Sequence, residues 1–383
     1  MRRSYATALA LGFLSTGPAA VMAQMPDSPP ARQEQVAPAA PAPPLPSPLR
    51  RWGTEFSFLF DGYVDENFND PPSGFNALRN YDVRSNMPHV SLGMIAIDHL
   101  PAPIGFQLDV GFGETFDIIH AGNRDPGAWK YFKQAYVSTK PKSWRGVELD
   151  AGEFVSPAGA ETIETNQDYN YSRSLLFAWA VPATHTGFRL QYPVGSRFTG
   201  SVQVVNGWNN VEPINRGKTY GFTGVYTGKI VTWSNNYYAG PEHAGTTKGW
   251  RNLYDSSVVV NPADPLSYYV NFDYARDKNI GPGARSWVGL AAALRRAIGN
   301  RTAVAARLEF FDDRNGLATG LAQTVVECTV TGEYKLTGWL LTRAEFRTDR
   351  SSRPFFEKKD QPNGATTQPT VLLGLIAYLA PKK

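Results

Sequence analysis

The chain has 383 residues, with 38 Lys and Arg against 34 Asp and Glu and a formal net charge of +4. Without Arg2 and Arg3 the charge is only about +2, which is no electrostatic footprint for nucleic acid. One cysteine, Cys328, excludes an internal disulfide, and no apolar run past the N-terminus approaches the ~18 residues of a transmembrane helix.

Residues 1–23 have the pattern of an export signal. Arg2 and Arg3 give a positive start, residues 6–14 form a short apolar run, and Val21-Met22-Ala23 supplies a small-residue cleavage site. Residues 24–51 are rich in Pro and Ala, with little to bury. They are expected to be a disordered spacer in the periplasm. Residues 52–383 carry the folded domain.

That domain alternates. Phe56, Phe58 and Phe60 share one face of the first strand, and Glu55, Ser57 and Asp61 share the other. Ile104, Phe106, Leu108, Val110 and Phe112 oppose Gly105, Gln107, Asp109, Gly111 and Gly113. Further on, Phe188 and Leu190 oppose Arg189 and Gln191. Val326, Cys328 and Val330 oppose Glu327, Thr329, Thr331 and Glu333. Leu340, Ala344 and Phe346 oppose Arg343, Glu345 and Arg347. Period two with one apolar and one charged face predicts half-buried strands, and Cys328 falls on the apolar face.

Tight turns are predicted at 100–103, 140–145, 193–197, 227–229, 261–264, 298–301 and 336–338. Long polar loops are predicted between them at 66–87, 114–129, 156–182, 208–217, 240–250, 276–285, 312–321 and 350–368. Strict alternation of short and long connections over about sixteen strands (fourteen to eighteen) predicts an all-β, single transmembrane antiparallel β-barrel. A soluble sandwich also alternates but needs fewer strands. Trp52, Trp144, Trp208, Trp250, Trp287 and Trp339 fall at predicted strand ends, where membrane barrels place aromatic girdles. With an even strand number, both termini and the tight turns lie in the periplasm and the loops face outward.

The third loop is the longest. It starts acidic, with Glu161, Glu164 and Asp168, and ends apolar, with Leu175, Leu176 and Phe177. It is expected to fold into the lumen and form a constriction in which the acids face Arg173, Arg189 or lumenal arginines from other strands. The expected lumen lining is Asp109, Asp150, Arg307, Glu327, Glu333, Arg343 and Arg347.

Asn170-Tyr171-Ser172-Arg173-Ser174, then Phe177, Ala180, Pro182, His185 and Gly187, resemble the signature of the OmpL-like β-barrel porin family of Gram-negative bacteria. Val205-Asn206-Gly207-Trp208, Asn215, Gly217-Lys218-Thr219 and Gly240-Pro241-Glu242 follow in the family's order. The resemblance runs from about Gly53 to the C-terminus and implies an outer-membrane porin without catalytic residues. The chain departs from the usual aromatic ending of such barrels: Tyr378 is followed by Leu379-Ala380-Pro381-Lys382-Lys383.

Other chemistry finds little support. Gly217-Lys218-Thr219 lacks the first glycine of a phosphate loop, since position 212 is Glu212. His89, His99, His120, His185 and His243 show no metal spacing, and His185 is expected to anchor the third loop. Ser172 and His185 are the nearest pair to a barrel lipase, but on the loop side, away from lipid. No enzyme activity, cofactor or metal is expected. The reading is an outer-membrane porin for small hydrophilic solutes or ions, in contact with outer-membrane lipid and assembled as a homotrimer. The alternatives are a plugged barrel serving as an adhesin or assembly component, and a secreted soluble carbohydrate binder. The soluble form is disfavoured by the Phe56/Phe58/Phe60 face.

Overall fold

The computed structural model describes residues 49–123, 127–263, 265–278, 283–361 and 364–380. The export signal, the proline-rich spacer up to residue 48 and the last three residues lie outside them.

The strands are β1 (Arg50–Arg51), β2 (Thr54–Asn67), β3 (Pro88–His99), β4 (Ile104–Phe112), β5 (Phe132–Thr139), β6 (Glu148–Val155), β7 (Thr184–Val194), β8 (Phe198–Val205) and β9 (Thr219–Thr227). They continue as β10 (Val231–Gly240), β11 (Arg251–Ala263), β12 (Leu266–Asp277), β13 (Arg285–Ile298), β14 (Thr302–Asp313), β15 (Gln323–Lys335), β16 (Leu340–Ser351) and β17 (Thr367–Leu379). From β2 to β17 every strand pairs antiparallel with the next. The ring closes where β17 meets β2, from Thr370↔Asn67 to Leu379↔Phe58. Arg50 and Arg51 add a short pairing onto Glu55 and Thr54. The result is a closed barrel of sixteen strands, with no free edge in the ring.

The connections keep the predicted rhythm. Between the strands the short connections are 100–103, 140–147, 195–197, 228–230, 264–265, 299–301 and 336–339, and the long ones are 68–87, 113–131, 156–183, 206–218, 241–250, 278–284, 314–322 and 352–366; of these, 124–126, 264, 279–282 and 362–363 lie outside the described residues. The second long loop opens with a helix, α1 (Glu114–Ile119), and the third ends in a π-helical turn, Leu176–Ala180.

Alternation sorts the wall as the sequence implies. Phe58, Phe60, Ile104, Phe106, Phe188, Val326, Val330 and Phe346 are exposed on the outside. Asp61, Asp109, Arg189, Glu327, Arg343 and Arg347 are buried on the inside. Cys328 takes an outer position and is half-buried. A continuous belt of exposed Leu, Val, Phe and Tyr suits hydrocarbon rather than water. No helix among the described residues is long and apolar enough to cross a membrane.

Two expectations need correction. Trp52, Trp144, Trp250 and Trp339 are exposed, as a girdle requires, but Trp287 is 2 % exposed and faces inward. It meets half-buried Trp208 edge-on at 6.2 Å, and the Arg251 guanidinium lies 5.1 Å from the Trp208 ring centre. Both indoles gain a cation–π contact with Arg251 there.

The inner wall is also not polar throughout. Toward the loop end of β10–β15 it carries Tyr238, Leu253, Ala275, Trp287, Ala291, Phe311 and Val325, all buried. Leu175, Leu176, Ala180 and Val181 of the third loop pack on this patch.

Leu308, 62 % exposed on the outside of β14, tests the membrane assignment. Leu308→Arg should destabilise the barrel in lipid by about 2–4 kcal/mol, read by urea unfolding in vesicles.

Candidate functional site

The third long loop leaves β6 at Ser156 and returns to β7 at Thr184. Its polar atoms are engaged by inward-facing side chains from well-separated strands. Arg307 of β14 donates to Glu161 Oε1 at 2.8 Å and to the Ser172 carbonyl at 2.7 Å. Arg343 of β16 donates to the carbonyls of Thr165 (2.6 Å), Asp168 (2.6 Å) and Asn170 (2.9 Å). Arg347, four residues on, donates to the Arg173 carbonyl at 2.6 Å. Guanidinium is suited to this work because its rigid fork carries several donors and keeps its charge.

Carboxylates hold the loop's N–H groups. Glu345 accepts from Tyr171 (2.7 Å) and Ser172 (3.1 Å), and Glu309 accepts from Leu175 (2.9 Å) and Leu176 (3.2 Å). Asp61 of β2 accepts from the hydroxyls of Thr165 and Tyr171. A loop with only two short helical turns of its own thereby satisfies its backbone, which burial demands.

Two inner-wall glycines complete the fit. A Cβ on Gly289 would lie 2.7 Å from Leu176, and a Cβ on Gly374 would collide with the Tyr171 ring. Both are sockets for loop side chains.

The predicted constriction residues are all buried. Glu161 meets Arg307, and Tyr269 also donates to it at 2.8 Å. Glu164 pairs with Lys133, which also meets Asp109 at 2.8 Å. Asp168 lies 3.1 Å from Arg173. Burial raises the Asp168 carboxyl above the usual carboxylate range, although Arg173 pulls the other way. The Arg173 side chain also donates to the carbonyls of Thr162, Ile163 and Tyr171, so it braces its own loop.

Arg189 pairs with Asp150 at 2.9 Å and lies over the Phe154 ring. The predicted lining residues stand on the inner face, with Glu327 bonded to Arg307 and Glu333 to Arg343. Sequence reasoning did not single out Lys133, Glu309 or Glu345 as site residues. Glu309 shares an inner-face alternation with Arg307, and Glu345 with Arg343 and Arg347, which is the signal that could have found them; Lys133 sits at a register shift in β5, where alternation gives no signal.

A family model described as "Putative beta-barrel porin-2, OmpL-like" matches residues 53–379. The chain belongs to that family. No curated protein matches it in sequence. Among solved structures it is similar in fold to OmpT of Vibrio cholerae in trimer form, at 12% identity and TM-score 0.56 over 85% of this chain and 99% of that one. It is similar to an anion-selective porin from Comamonas acidovorans, at 10% identity and TM-score 0.59 over 85% and 99%. The outer membrane channel DcaP of Acinetobacter baumannii gives 10% identity and TM-score 0.55 over 86% and 99%.

Ser172 and His185, the nearest approach to a hydrolase pair, are kept apart by other partners. The Ser172 hydroxyl is bonded by Arg307 at 3.2 Å. His185 Nδ1 bonds the Gly207 carbonyl at 3.1 Å and its ring stacks on Tyr238, so it ties down the fourth long loop rather than the third. Lys218 donates to Asn206, and Thr219 opens β9 rather than a helix, so no phosphate loop forms. No group of His, Cys, Asp or Glu among the described residues is arranged to hold a metal ion.

The sockets and the guanidinium clamp can be broken separately. Gly374→Val should displace Tyr171 and open the bond after Arg173 to trypsin in the folded barrel, where the parent resists. Arg343→Ala removes the guanidinium donors to Glu333 Oε2 and to three loop carbonyls and should cost about 3–5 kcal/mol, read by unfolding in detergent.

Proposed function

We propose that this chain is an outer-membrane porin that passes small hydrophilic solutes or ions down their gradients. The observation that carries the reading is the closed sixteen-stranded ring with an apolar outside and a charged inside, in a chain of the porin family. Residues 1–23 direct export, and residues 24–51 form a periplasmic spacer. Both termini and the tight turns lie in the periplasm, with the long loops outward. The third loop, folded across the lumen, forms the constriction, with Glu161, Glu164 and Asp168 near its mouth and Arg173 bracing it. Arg189 and Asp150 line the wall beside it. The protein binds no cofactor and assembles as a homotrimer in outer-membrane lipid; one similar barrel is described in trimer form.

One observation favours a second reading, a plugged barrel that presents its loops to a partner. Arg307, Arg343, Arg347, Asp150 and Glu327 are no more than 1 % exposed, so little water reaches the wall around the loop.

Single-channel recording of the refolded mature protein in concentrated potassium chloride separates the two. A porin gives steady ohmic steps, grouped in threes for a trimer. Insertion without current supports the plugged barrel. In the conducting case, Glu164→Gln with Asp168→Asn should move the reversal potential across a salt gradient toward that of chloride. No movement removes these residues from the conduction path.

A further inference from the structure

The interior of this barrel is far more acidic than the chain that makes it. In the whole sequence, basic residues outnumber acidic ones, 38 to 34. Among the buried described residues the order reverses, with nineteen Asp and Glu against seven Lys and Arg. All seven cations are already engaged, in ion pairs with ten of those carboxylates. Asp277 is held by half-buried Arg251 and His243. The remaining eight buried acids have no ion pair among the described residues. Asp61, Asp65 and Glu345 are hydrogen-bonded instead by hydroxyls, amides and backbone N–H groups, which offset desolvation without cancelling charge.

The imbalance is sharpest where β11 meets β12. Asp255 and Asp273 stand directly opposite one another in the ladder, and both are 0 % exposed. Asn236 and Asn271 donate to Asp255 at 2.7 and 2.9 Å. Neither carboxylate oxygen of Asp273 has a donor, and the hydroxyl of Ser257, two residues along the same face from Asp255, is also without a partner. Two buried carboxylates that face each other, with no ion pair to either among the described residues, share a proton, so the pair carries one negative charge rather than two.

We infer that the interior selects cations, with potassium-sized ions and small organic ammonium solutes admitted over chloride and carboxylates. The Asp255–Asp273 pair, buried in the wall, acts on a passing cation through its field. A low-dielectric wall lined by one sign of charge focuses its field on the lumen and concentrates counter-ions there. The fold does not set the sign, because a barrel of similar fold is described as anion-selective. The interior side chains set it.

The inference rests on the porin reading, and one experiment keeps the two apart. The full mature chain is placed in a planar bilayer under a potassium chloride gradient, and the reversal potential is read. The expected result is a potassium-to-chloride permeability ratio on the order of tenfold. Asp255→Asn with Asp273→Asn preserves shape and removes the charge. That variant should lower the ratio by about threefold while the protein still shows the heat-modifiable gel shift of a folded barrel. Conductance with a ratio at or below one overturns the inference and leaves the porin standing. An unchanged ratio in the folded double variant removes the pair from it. No conductance overturns the porin reading and the inference with it.

Discussion

A backbone amide in hydrocarbon has no water to turn to, so each must find its partner inside the protein. In this chain that demand is met by the β17–β2 ladder, which joins the last strand to the first across most of the sequence. Once the ring is closed, every strand has a lipid side and an inner side, and period-two patterning becomes a sorting rule. The exposed Phe58, Phe188 and Leu308 and the buried Asp61, Arg189 and Arg307 are consequences of closure.

Closure also creates the problem that the third loop answers. Inner-face charges withdrawn from bulk water need partners with good geometry. Arg343 and Arg347 find loop carbonyls as well as acids, and Glu309 and Glu345 find loop N–H groups. The irregular loop backbone needs the same bonds for the same reason. Wall and loop thus satisfy each other, and the glycine sockets at 289 and 374 fix where the apolar and aromatic side chains sit. Such a loop is part of the wall's hydrogen-bond network.

The acidic excess sets the character of the interior. Ion pairs balance the loop's own acids locally, whereas Asp255 and Asp273 have no ion pair among the described residues. The arginines hold the loop, and carboxylates without a counter-charge set the field.

The sequence by itself determined the ring and its two faces. Alternation and the rhythm of turns depend only on neighbouring residues, so the strands, the tight turns and the inward set Asp109, Asp150, Glu327, Glu333, Arg343 and Arg347 were all legible. Tertiary structure alone decided who meets whom. Glu161 reaches Arg307 across 146 positions, and Asp61 reaches Tyr171 across 110. No local pattern encodes such distances. The same limit explains Arg189, which faces inward as read but pairs with its cross-strand neighbour Asp150 because that partner is fixed by register. It explains Trp287 as well. Its place at a strand end was readable, but its inward turn depends on Trp208 and Arg251, which only the closed ring brings beside it.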